Sequence, residues 1–197
     1  MEYLEMVENN KVIIPIHKPG LKEKLFFCFS GIIVSIPITL YFNVFSSHAC
    51  LFLPAIYSTF CSTALFTPFI EEFSKVFPLF YRHGETENSI FILGFLTGLG
   101  FGITEFLLYV FVQGAPVLIR LPAIFFHASS TSIAAYGIAT KRPMSFFLIA
   151  VALHLLNNFF ASTDFFWLTG VLAITIITYF LSWYLYHKTS DKIVNNA

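Results

Sequence analysis

Aspartate is almost missing from this chain: Asp164 and Asp191 are the only two, and both lie beside the ends of apolar runs. That count excludes a catalytic aspartyl dyad within an apolar segment. Charge is scarce as a whole, at 11%, and balanced, with 11 Lys+Arg against 11 Asp+Glu. No basic surface for nucleic acid follows from such a balance. The three cysteines, Cys28, Cys50 and Cys61, sit in apolar surroundings without C-x-x-C spacing. They read as packing residues, not as a disulfide framework or a thiolate metal site. Neither H-E-x-x-H nor G-x-S-x-G occurs, so the familiar zinc-helix and serine-elbow hydrolase patterns are excluded. No tract has linker composition. The first 20 residues lack an apolar core, and no cleavable signal peptide is expected there.

What is present is apolar mass: 57% hydrophobic residues, 19% aromatic residues and 26 Phe, with a mean hydropathy of +0.77. These values exceed those of a soluble domain. The expected architecture is one all-α polytopic transmembrane helical bundle in the cell membrane, with about 6–7 membrane segments, one of them broken or re-entrant. Apolar runs of spanning length occupy residues 25–45, 89–112, 116–140, 143–161 and 165–186. The stretch 49–82 is too long for one straight span and short for two, and Pro54, Pro68 and Pro78 interrupt it. Thr67 before Pro68 reads as the start of a fresh helix, and Pro78 predicts a kink below Lys75.

Lys and Arg collect at one set of span ends: Lys11, Lys18, Lys22, Lys24, Arg82, Lys141, Arg142, Lys188 and Lys192. The connections 46–49, 113–115 and 162–164 have none. By the positive-inside rule both termini are cytoplasmic, and 49–82 crosses once in net terms. The expected division is a cytoplasmic tail 1–24, a membrane bundle 25–187 with a motif-bearing core 66–160, and a cytoplasmic tail 188–197. Trp167 and Trp183 read as interfacial anchors.

Ionisable residues inside apolar segments are costly and biased toward function. Here Glu71, Glu72, Lys75, Glu105, Arg120, His127 and His154 fall on four consecutive segments, and the first and last spans hold none. All seven can converge on the outer half of the membrane. Gly94, Gly98 and Gly102 form a small-residue stripe for close helix approach, and Glu105 projects from nearly the same face. Arg120, His127, Thr131 and Ala134 share a helical face, as do Ala150, His154, Asn158 and Ala161. A carboxylate can act as general base toward water, and the Glu71-Glu72 pair titrates as a unit. Imidazole can share the proton transfers or, with the Asn158 amide, donate to an oxyanion; Asn157 is the adjacent alternative. Lys75 reads as structural, Arg120 as a partner of Glu105, and Ser129, Ser130 and Thr131 as packing hydroxyls.

These residues together resemble the PrsW-type members of the glutamic intramembrane proteases, the superfamily that includes the CAAX prenyl proteases. The resemblance rests on E-E-x-x-K at Glu71, Glu72 and Lys75, on G-F-G-I-T-E ending at Glu105, on Arg120 ahead of H-x-x-x-T at His127 and Thr131, and on H-x-x-x-N at His154 and Asn158. It implies a multi-spanning endopeptidase that cuts a membrane-associated protein in the lipid bilayer. The implied machinery is a glutamate-activated water, oxyanion stabilisation by His154 and Asn158, and no metal. In bacteria the implied substrate is a single-span protein like an anti-sigma factor. Where the CAAX branch has F-x-x-x-H, this chain has Phe101-x-x-x-Glu105, so prenylated substrates are not implied and His127 becomes the candidate for the missing imidazole. Two rivals use the same side chains: a hydrolase with Zn²⁺ held by Glu and His, and a non-enzymatic proton-coupled transporter or substrate-binding scaffold. The lack of visible inverted repeats weakens the transporter reading.

Overall fold

The computed structural model describes residues 17–81, 86–163 and 167–194. Six helical runs follow one another: α1 (Leu21–Cys50), α2 (55–81), α3 (Glu87–Val112), α4 (Val117–Ala139), α5 (Pro143–Ala161) and α6 (Trp167–Tyr186). All but α2 are long and apolar enough to cross a membrane. The sixth, α2, carries the acidic pair and still rises about 40 Å at the helical 1.5 Å per residue. The chain is thus a multi-pass all-α membrane protein. Its outer surface agrees, since Phe52, Ile56 and Leu118 are 94%, 80% and 83% exposed. Side chains of that kind need lipid or a partner against them.

Proline explains the irregular winding of α1 and α2. Residues 31–35 of α1 and 61–66 of α2 wind as wide π turns, each just ahead of a proline, Pro37 and Pro68. Proline has no N–H to give the carbonyl one turn back, and the wider turn absorbs that missing bond. Thr67 therefore does not open a fresh helix: its backbone is helical, its N–H reaches the Ser62 carbonyl, and its hydroxyl bonds the same carbonyl at 2.9 Å. The break expected in 49–82 is the turn at 51–54, followed by changes of winding inside one continuous helix over 55–81, without a re-entrant loop. Glu71 accordingly lies past the middle of α2, not near an outer helix start. At Phe77 the helix tightens into a 3-10 turn around Pro78, the distortion that proline predicts.

The central pair is α3 and α4. Gly94 faces Ala135 and Gly98 faces the His127 carbonyl and Thr131, so a Cβ at either position would clash with α4. The expected glycine stripe is this contact surface. On the opposite side of α3, Gly100 lies against the Cys28 carbonyl of α1. Helices α2, α5 and α6 complete the bundle, with α2 packed between α1 and α5. At the lysine-rich end the chain after α6 is docked: Thr86 pairs with Ile193, the Glu87 N–H donates to the Lys192 carbonyl, and Val194 is buried. Lys18 and Asp191 form an ion pair at 3.2 Å, which places both ends of the described chain together.

Cys50 and Cys61 are joined by a disulfide, with Cα atoms 5.9 Å apart, while Cys28 is free. The expectation of three packing cysteines is corrected for this pair. The turn 51–54 folds α2 back along α1, and that reversal brings together cysteines whose spacing carries no signature of its own. Lys11, Arg82, Asp164 and Phe165 lie outside the described residues, as does the Trp167 side chain.

Candidate active site

Glu71 and Glu72 occupy the same turn of α2 and have different surroundings. Glu72 is completely buried. Its Oε1 accepts from Lys75 Nζ at 2.6 Å, from His154 Nδ1 at 2.8 Å and from Ser130 Oγ at 3.0 Å. Glu71 reaches a cavity of about 1000 Å³. Its Oε2 has no hydrogen-bond partner and lies 3.6 Å from His154 Nε2. Burying a Lys-Glu pair is tolerable only with such close geometry, because each charge loses several kcal/mol of hydration.

A single network runs through the bundle from this pair. Lys75 Nζ also approaches His127 Nδ1 at 3.0 Å and sits 5.2 Å from the Phe101 ring centre. His127 Nε2 is 2.5 Å from Glu105 Oε2, and Arg120 bonds Glu105 Oε1 at 3.2 Å while stacking on Tyr109. The two imidazoles meet edge to face at 5.3 Å, with Phe126 packed on both. An ammonium donating to His127 Nδ1 assigns the ring proton to Nε2, facing Glu105. By the same reasoning Glu72 takes the Nδ1 proton of His154 and leaves Nε2 with a lone pair toward Glu71.

The sequence-derived residues divide accordingly. Glu71, Glu105, Arg120, His127, His154, Asn157 and Asn158 line the cavity. Glu72 and Lys75 lie behind them. Asn158 donates one amide N–H to the Thr63 carbonyl of α2 at 3.0 Å, which leaves its second N–H for a ligand. Thr131 is fully buried, bonds the His127 carbonyl at 2.8 Å and packs on Gly98. Sequence reasoning grouped Ser130 with the packing hydroxyls, yet it bonds Glu72. Its place three residues after His127, on the same helical face, is the signal that was available. Tyr109 beneath Arg120 was also missed, and four residues after Glu105 it had the same kind of signal.

The depth of the site follows from helix length. His127 and His154 lie 12 and 11 residues from the lysine-rich ends of α4 and α5, about 16–18 Å at helical rise and near the middle of a bilayer. The cavity extends from there toward Ser47, Gln113 and Ser162, at the end without Lys or Arg connections.

Glu71, His127 and His154 each offer a ligand atom, all within 4.8 Å of one another, so distance alone admits a metal ion. Hydrogen bonding argues against it. His154 Nε2 and Glu71 Oε2 are free, but both nitrogens of His127 are engaged, one by a cationic lysine that would also repel a divalent ion. As arranged, Glu71 and His154 each present an unengaged ligand atom, and His127 does not.

The family model described as PrsW family intramembrane metalloprotease matches residues 22–185. Comparisons with curated proteins and with solved structures find no match to this chain. Because the family match runs from the first helix to the last and takes in every residue of the buried network, the chain belongs to the PrsW family and is a multi-pass intramembrane protease.

Proposed function

We propose that the chain is a glutamic, metal-independent endopeptidase in which Glu71 activates the attacking water. The observation that carries this reading is the buried, unpartnered Oε2 of the cavity-lining Glu71, 3.6 Å from His154 Nε2. Glu71 takes a proton from water, and the hydroxide attacks the scissile carbonyl. The oxyanion that forms accepts from the free Asn158 N–H, and from His154 once its Nε2 has taken up the proton from Glu71. The proton then passes from Glu71, directly or through His154 Nε2, to the departing amine nitrogen as the C–N bond breaks. Glu72 fixes the His154 tautomer and Lys75 balances Glu72; neither touches substrate. The Arg120–Glu105–His127 chain orients the second imidazole.

The substrate class proposed is a membrane-associated protein with one span, of the anti-sigma-factor kind that the motif resemblance implies. The family's description as metalloproteases makes Zn²⁺ bound by Glu71, His127 and His154 the rival reading. One experiment separates them: detergent-purified protein is incubated with fluorogenic membrane peptides, with and without a chelator. Cleavage that survives chelation and is lost in Glu71→Gln supports the glutamic reading. Cleavage abolished by chelator and restored by zinc overturns it.

A further inference from the structure

Hydrolysis at mid-membrane depth poses a problem that the glutamates do not solve. A peptide bond becomes accessible only when its segment leaves the helix, and each freed N–H or C=O then costs several kcal/mol unless the cavity supplies a partner. The bundle holds such partners, two of them on α1 and α6, which contribute no side chain to the ionisable network. Serine and threonine hydroxyls inside these helices generally bond a carbonyl of their own preceding turn, as Thr97, Thr104 and Thr178 do at 2.8–3.0 Å. Thr39 on α1 and Thr175 on α6 do not. Both are buried, at 5% and 9% exposure, both have an Oγ1 without a partner, and both line the Glu71 cavity. Asn157 Oδ1 on α5 is likewise buried, unpartnered and part of the same lining. A buried polar atom left unsatisfied costs about 1–3 kcal/mol, so three on one cavity are available to bond a segment that fills it.

We propose that Thr39, Thr175 and Asn157 are substrate-binding residues that hydrogen-bond the main chain of an unwound peptide segment in the cavity. Hydroxyls donate to its carbonyls, and the Asn157 oxygen accepts an N–H. Recognition is then of an extended backbone more than of particular side chains, and it favours membrane segments that unwind easily. The proposal rests on the peptidase reading, and its test measures binding, not turnover.

Full-length protein carrying Glu71→Gln is titrated in detergent with two fluorescent single-span peptides, one with a central Gly-Gly-Pro and one a Leu/Ala helix of equal length. The Gly-Gly-Pro peptide should bind more tightly. Thr39→Val and Thr175→Val, nearly isosteric, should each weaken it about fivefold, the effect of one lost hydrogen bond, and Thr39→Ser should restore the affinity. Thr178→Val, one turn from Thr175 but bonded within its own helix, should leave Kd unchanged. A Kd indifferent to both cavity substitutions, an equal loss for the helical peptide, or an equal loss from Thr178→Val overturns the proposal. Failure of the unmutated protein to cut any peptide would refute the peptidase reading, and these Kd values would still decide on the two threonines.

Discussion

Glu72 holds His154 through a 2.8 Å hydrogen bond to the ring's Nδ1, and so turns the opposite nitrogen toward Glu71 and the cavity. Two glutamates adjacent in sequence thereby face opposite edges of one imidazole. Loss of Glu71 should remove the base itself. Glu71→Gln is expected to lower kcat by about 10²–10⁴, the range for a positioned acid-base group, with peptide affinity kept. Glu72→Gln should also lower kcat, and in addition reduce thermal stability. Measurement of kcat, Kd and unfolding midpoint for both variants checks this assignment, which equal stability losses would contradict.

Lys75 is fully buried between Glu72 and His127. Replacing it by methionine leaves the Glu72 carboxylate in an apolar interior without its cation, and breaking a buried pair from one side costs about 3–5 kcal/mol. The Lys75→Met unfolding midpoint in detergent should fall sharply. The double variant Lys75→Met/Glu72→Gln should recover much of the loss, because no uncompensated charge remains. Additive losses in the cycle would show that the two residues do not act as a pair.

A carboxylate base and an imidazole that relays its proton must both start unprotonated, Glu71 at Oε2 and His154 at Nε2. Rate should fall at low pH as either takes up a proton from solvent. The kcat/KM profile is therefore expected to lose activity on the acid side, with His154→Ala lowering the whole curve. A flat profile from about pH 5 to 9 in the unmutated protein would rule out the partnership.

The Cys50–Cys61 disulfide closes a short loop at the end of the bundle where the cavity opens. Disulfides persist in oxidising compartments, so its location agrees with that end facing outward. Cys50→Ser/Cys61→Ser should destabilise the protein by about 2–3 kcal/mol, as expected for a loop of this size. Maleimide labelling of the unmutated protein should modify Cys28 alone until a reductant is added. Labelling of all three without reductant would remove the cross-link from the picture.

Composition and spacing alone determined the class, most of the helices and which ionisable residues gather inside the bundle. Runs such as 143–161 cannot be buried any other way, and ionisable residues confined to four segments have few places to go but inward. The glycine stripe facing α4 was equally legible, because period and residue size are local properties. Tertiary structure alone decided the rest. Local rules made Thr67-Pro68 a helix start, but packing between α1 and α5 kept α2 continuous and pushed the proline's missing bond into a π turn. Sequence made Glu71 and Glu72 neighbours. Only the approach of α4 and α5 buried one beside Lys75 and Ser130 and left the other at the cavity, since which side chain meets which helix depends on the rotation of α2 in the bundle.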